Sequence, residues 1–150
     1  IPLKKFLLVL FVAFSLSEVH AAVAKTGDED QLKSLVDSFA VAIVKKDKVW
    51  IVSNLSETCK MYEPTGNTLD RAGIVYTFTE GIYDISKSAA LNKSFKVDGA
   101  AAGGSADFDV EGVGNINGNK VDIAGSYKFN LKFTKSDKGW LISEIIINER

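Results

Sequence analysis

Between Val121 and Phe133 the apolar side chains of Val121, Ile123, Tyr127, Phe129, Leu131 and Phe133 fall on alternate positions, with Asp122, Ser126, Lys128, Asn130 and Lys132 between them. A period of two sustained over that length fits a strand with one dry and one wet side. The strand, expected over 120–135, needs partners, and both flanks supply them. Downstream, Ser136-Asp137-Lys138-Gly139 precedes Trp140-Leu141-Ile142-Ser143-Glu144-Ile145-Ile146-Ile147, a second strand. With Gly139 as the φ > 0 residue of a three-residue loop over 137–139, Ser136 faces Trp140, Lys132 faces Glu144, Leu131 faces Ile145 and Phe129 faces Ile147. Upstream, Asn117-Gly118 suits a type I′ turn, which sets Asp107 opposite Lys128 and Phe108 opposite Tyr127. The two turns are independent, and they assign the same apolar side to the strand they share.

Ahead of this meander the period changes from two to three and four. Thr26-Gly27-Asp28-Glu29 has the spacing of a capping box, and Leu32, Leu35, Val36, Phe39, Ala40 and Ile43 form one stripe of a long helix that ends near Lys45-Lys46. After Asp47, Val49 to Val52 with Leu55 predict a short second helix. Thr58 to Glu63 reads as a strand stopped by Pro64-Thr65-Gly66-Asn67, and Leu69 to Ile82 as a third helix. Asp84 to Lys93 is polar and reads as a loop. Ser94 to Val97 starts a strand that the glycines between 99 and 104 are expected to bend before it resumes at 106–111.

At the other end, Lys4-Lys5, the apolar run Phe6 to Leu16 and the small residues of Val19-His20-Ala21 have the layout of a secretory signal peptide cleaved after Ala21. Residues 1–21 are therefore expected to be removed, leaving one domain over 22–150 that is secreted and extracellular. An apolar run of eleven residues is short for the alternative, a membrane anchor, and no membrane contact is expected afterwards. The remaining chain carries sixteen basic and eighteen acidic side chains, so nothing draws nucleic acid to it. It also loses His20, the only histidine, which closes Ser-His and Cys-His mechanisms and most zinc sites. Cys59 is then the single cysteine, read either as a small buried residue at the start of a strand or as an intermolecular bridge or reactive thiol.

The order of a long amphipathic helix, a short one after Lys46-Asp47, a strand and turn, a third helix and a terminal meander resembles the NTF2-like superfamily, in particular its SnoaL and ketosteroid isomerase group. The segments that carry the resemblance are Ala42-Ile43-Val44-Lys45-Lys46-Asp47, Tyr127-Lys128-Phe129-Asn130-Leu131 and Gly139-Trp140-Leu141-Ile142, and the signal peptide is similar to that of small secreted branches. What it implies is an α+β cone in which a bent, mostly antiparallel sheet wraps the helices around a pocket, and a homodimer formed through the outer face of the sheet. A lipocalin-like barrel fits less well, given the long first helix and the small number of strands.

The expected inward positions are Phe108, Val110, Tyr127, Phe129, Leu131, Phe133, Ile145 and Ile147, none of them a carboxylate. Asp107, Asp109 and Glu111 fall on the outer face beside Lys128 and Lys132, a solvated row in preference to a calcium site. No cofactor or metal is expected. Tyr62, Tyr76, Phe108, Tyr127, Phe129 and Leu131 are the candidate pocket residues, for a small apolar molecule. That favours a binding or self-associating module with no catalytic residues. The alternative is an isomerase, cyclase or hydrolase using Tyr62 or Tyr76 with Asp70, Glu80 or Asp84; a carboxylate within about 3 Å of a tyrosine hydroxyl inside an apolar pocket would favour it. For the interface, the register places Trp140, Ile142 and Ile146 on the outer face around Glu144, next to Lys128 and Lys132. A monomer with Trp140 and Ile142 covered by residues 22–30 is the alternative. Asn54-Leu55-Ser56 and Asn92-Lys93-Ser94 are sequons, with Asn92 the better glycan acceptor.

Overall fold

A computed structural model describes residues 27–150. The signal peptide, its cleavage site and Thr26 of the capping box lie outside the described residues. Helix α1 occupies 27–45 and strands and helices follow in the order α2 (Lys48–Asn54), β1 (Leu55–Tyr62), β2 (Thr68–Leu69), α3 (Arg71–Thr79), β3 (Tyr83–Asp98), β4 (Ala101–Ile116), β5 (Asn119–Asp122), β6 (Gly125–Ser136) and β7 (Gly139–Glu149).

The seven strands make one unclosed sheet in the order β2-β1-β7-β6-β4-β3, with β5 paired to β4. All pairings are antiparallel except β1 with β7. The helices pack on one face of this sheet, an α+β cone. Leu32, Val36, Phe39 and Ile43 of α1 are buried, and the Phe39 ring meets Phe78 of α3 at 5.7 Å and Phe108 of β4 at 6.1 Å. Phe129 stacks on Phe108 at 4.1 Å, and Leu131, Phe133, Ile145 and Ile147 continue the same buried face. Every expected inward position is buried except Tyr127, which is half-buried.

Local signals set the helix starts. Asp47 caps α2 by accepting from Trp50 N at 3.0 Å, and Asp70 caps α3 by accepting from Gly73 N at 2.9 Å. Leu55 opens β1 instead of closing α2, and α3 is shorter than the stretch Leu69 to Ile82.

Three expectations about strands need correcting. The segment 84–93 is no loop: it belongs to β3, the long edge strand, where Ile85 is buried but most neighbours touch water on both sides, so the apolar period is diluted. The glycines after Val97 do not bend a strand; Gly99-Ala100 turns β3 into β4, and Gly103 and Gly104 lie within β4. The long strand 120–135 is interrupted at 123–124, although both halves keep the predicted pairing, Val113 with Asp122 on one side and Asp107 with Lys128 on the other. Asn117 and Gly118 have φ of 52° and 78°, as the type I′ turn requires.

The last hairpin holds the correction that matters most. Its turn has two residues, Asp137-Lys138, so Ser136 pairs with Gly139, Lys135 with Trp140 and Phe133 with Ile142. Between Phe133–Ile142 and Lys132–Glu144 the register slips by one residue, with Ser143 as the extra one. Beyond this bulge the expected pairs Lys132–Glu144, Leu131–Ile145 and Phe129–Ile147 are present. Ahead of it every side chain is on the opposite face from that expected. Trp140 and Ile142 point into the core, 5% and 0% exposed, and are not on the outer surface.

Candidate functional site

The cavity that the cone encloses has a volume of about 200 Å³ and opens near the β4–β5 hairpin. Its floor and walls come from Ile43 of α1, Phe78 of α3, Val110 of β4, and Phe129 and Ile147 of the central strands; Tyr83 and Tyr127 are the two phenols on its wall. Val121, Asp122 and Ile123 reach it because the interruption after β5 turns this stretch across the opening. Glu149 closes the rim from the end of β7, directly opposite Tyr127. Two larger depressions, of about 870 and 630 Å³, lie on the surface and are lined by exposed residues such as Val41 and Lys87 or Tyr76 and Glu80.

Both phenols in the cavity already donate. Tyr83 Oη gives its proton to Glu63 Oε1 at 2.6 Å, and Tyr127 Oη to the Ile123 carbonyl at 2.7 Å. Burial pushes the Tyr83 hydroxyl well above the ordinary tyrosine value, reinforced by the bond to Glu63. Burial also raises Tyr127, followed by the charges of Glu149 and Asp122. Each hydroxyl therefore stays protonated and keeps its lone pairs as acceptors. Glu63 does not line the cavity; it holds Tyr83 from behind, next to the lining residues Pro64 and Thr65.

Of the candidate pocket residues, Tyr127 and Phe129 line this cavity. Phe108 and Leu131 are packed in the core beside it, 0% and 2% exposed. Tyr62 stands on the outer face of β1 opposite Ile146, and Tyr76 projects from α3 to solvent. Both are separated from the cavity because strand alternation and the helix stripe turn them away from it. Asp70 caps α3, Glu80 follows its last turn and Asp84 is ion-paired to Lys46 at 3.0 Å, so the carboxylates considered for catalysis lie elsewhere. Tyr83 and Glu63 were missed because one was placed beyond a helix and the other in a strand end; their pairing spans twenty positions and leaves no mark on local periodicity.

The outer face keeps four of its expected members. Lys132 Nζ is 3.1 Å from Glu144 Oε2, and Lys128 and Ile146 point the same way. The acidic row is neutralised differently from the expectation. Asp107 is buried, accepting from Asn92 Nδ2 at 2.8 Å and paired with Arg150 at 3.2 Å, while Glu111 pairs with Lys87 at 3.5 Å. Asn92 is thus a β3 residue with φ of 50°, not part of a polar connection, and Asn54 donates to the Trp50 carbonyl at 2.8 Å. Both sequon amides are engaged in the folded chain. Among the described residues no three His, Cys, Asp or Glu side chains gather as a metal site, and no helix is long and apolar enough to cross a membrane.

An α+β cone of this topology with an internal cavity is the NTF2-like fold, and the chain has that fold. It is similar to an NTF2-like protein from Cytophaga hutchinsonii, with a TM-score of 0.71 and 12% identity over 81% of this chain and 97% of the other. A nuclear transport factor 2-like superfamily protein from Salmonella enterica serovar Typhimurium superposes with a TM-score of 0.67 and 16% identity, covering 83% and 92% of the two chains. An NTF2-like protein with a cystatin-like fold from Novosphingobium aromaticivorans gives 0.67 and 13%, covering 89% of each. No protein-family model and no curated protein matches the chain.

Proposed function

We propose that this chain is a secreted, non-enzymatic module that binds one small apolar molecule in the cavity of the cone. The observation that carries the reading is the cavity lining, in which Phe78, Val110, Phe129 and Ile147 supply apolar surface and Tyr83 and Tyr127 supply fixed polar atoms. An apolar cavity of about 150 Å³ accepts benzene, so the volume of about 200 Å³ suits a single ring with a short substituent. Displacement of an environment-sensitive fluorophore by single-ring compounds tests it. Saturable one-to-one binding that is lost in Ile123→Trp, which fills the cavity, is expected. Absence of binding by every such compound at millimolar concentration overturns the reading.

One observation favours a second reading, acid–base catalysis: the phenol of Tyr83 lies 2.6 Å from the Glu63 carboxylate on the wall of an apolar cavity. The distance satisfies the arrangement sought, but the carboxylate stands behind the wall. A substrate carbonyl would have to take the Tyr83 proton donor from Glu63. Deuterium uptake into a small cyclic ketone, present in the unsubstituted protein and absent in Tyr83→Phe, would establish this chemistry.

The homodimer is proposed with a revised centre. Tyr62 and Ile146 lie side by side on the outer face, beside the Lys132–Glu144 pair. Sedimentation at micromolar concentration is expected to give a dimer that Ile146→Glu dissociates; a monomer in the unsubstituted protein rejects it.

A further inference from the structure

The charged groups at the cavity mouth narrow the class of ligand. Asp122 and Glu149 line the rim, and no lysine, arginine or histidine is among the lining residues. Of the cations close in sequence, Lys120 stands exposed on β5 two positions before Asp122 and is not among the lining residues, and two others are occupied elsewhere. Lys46, one turn beyond Ile43, is held by Asp84 at 3.0 Å, and Arg150, next to Glu149, alternates to the other face and pairs with Asp107 at 3.2 Å. Among the described residues neither Asp122 nor Glu149 has an ion-pair partner. One oxygen of Asp122 accepts from Ala124 N at 2.9 Å, which fixes the carboxylate in place and leaves its second oxygen free. The fields of both carboxylates reach inward, since both raise the Tyr127 hydroxyl. Inside, four aromatic rings, Phe78, Tyr83, Tyr127 and Phe129, line the same space, and aromatic rings attract a cation that reaches their faces.

Resting on the binding reading above, we infer that the cavity selects a cationic ligand: a protonated amine on a single-ring or comparably small apolar body, the body in the cavity and the ammonium group between Asp122 and Glu149. An ammonium donates to carboxylate oxygens and to phenol lone pairs, which are the free polar atoms there. A carboxylate or phosphate ligand would meet two like charges and no cation.

Three matched probes separate binding in the cavity from selection of charge at its mouth. 2-Phenylethanol, 2-phenylethylamine and 3-phenylpropanoate share a phenyl ring and a two-carbon arm and differ in charge. Calorimetric titration at low ionic strength measures each. The alcohol reports on the cavity alone, and its failure to bind together with both others overturns the binding reading itself. With the cavity reading upheld, the amine is expected to bind about three- to tenfold tighter than the alcohol, since each partly exposed charge contact contributes up to about a factor of five. The carboxylate should bind weakest. In the double variant Asp122→Asn, Glu149→Gln, the amine's advantage over the alcohol should vanish; the amide oxygen introduced by Asp122→Asn still accepts from Ala124 N. Added salt should erase the amine preference in the unsubstituted protein and do nothing in the variant. An amine that binds no tighter than the alcohol, or a preference that survives the double substitution, overturns the inference.

Discussion

Trp140 Nε1 donates to Asp28 Oδ1 at 3.1 Å, joining the last strand to the first turn of the first helix. Lys135 Nζ reaches the same oxygen at 2.9 Å and lies 5.4 Å from the centre of the Trp140 ring. These contacts exist because the bulge at Ser143 turns Trp140 and Ile142 inward while leaving Glu144 and Ile146 outside.

That register has a direct mutational signature. Ile142→Ala removes a fully buried side chain and should cost about 2–5 kcal/mol, whereas Ile146→Ala, half-exposed on the outer face, should cost less than about 1.5 kcal/mol. Urea unfolding of the two variants checks it. A hairpin without the bulge would place Ile142 and Ile146, four positions apart, on the same face, and the two losses would then be alike.

Acidification should loosen the joint between strand and helix. The bonds from Lys135 and then Trp140 lower the Asp28 carboxyl below its ordinary value of 3.8. A carboxyl whose folded value is depressed adds stability above the unfolded value and loses it as pH falls through the folded one. Stability measured by denaturant titration should therefore fall in the range below about pH 4, and Asp28→Asn should remove that part of the dependence. An identical acid profile in the variant would show that Asp28 plays no part.

Cys59 should behave as an inert core residue. It is 1% exposed, and burial, then the charge of Glu144, push its thiol up from 9.0 to about 12. The raised value means that folding favours the protonated thiol, so this contribution is whole below pH 9.0 and is lost as pH rises toward and through about 12. Iodoacetamide at a pH near 9.0 is expected to label the unfolded chain at once and the folded chain only as fast as it opens. Rapid labelling of the native protein would make the thiol a reactive one.

Gly104 allows β3 and β4 to meet. A Cβ there would lie 2.0 Å from the Ser94 carbonyl oxygen and 2.9 Å from Phe95 Cα, both backbone atoms. Gly104→Ala should force the strands apart and cost about 1–3 kcal/mol or more, while Gly103→Ala, whose nearest contact is 3.5 Å, should be mild. Thermal unfolding of the pair provides the comparison; equal effects would mean that the edge strand yields freely.

What the sequence determined by itself was everything that repeats over short range. The period of two in β6, the three-and-four spacing in α1 and the Asn117-Gly118 turn set the elements, and their agreement set which face of β6 and of the end of β7 is buried. The order of those elements carried the resemblance to the NTF2-like fold. Tertiary structure decided what one extra residue or one distant partner decides. The bulge at Ser143 relieves the sheet by locally breaking the ladder, and no periodicity announces which residue will be left unpaired. Asp107 reads as a wet-face residue in any strand pattern, yet Asn92 and Arg150 close over it from far along the chain. The cavity was assembled in the same way: Tyr83 is held by Glu63 across twenty positions, and Asp122 and Glu149, from β5 and from the end of β7, both line its mouth.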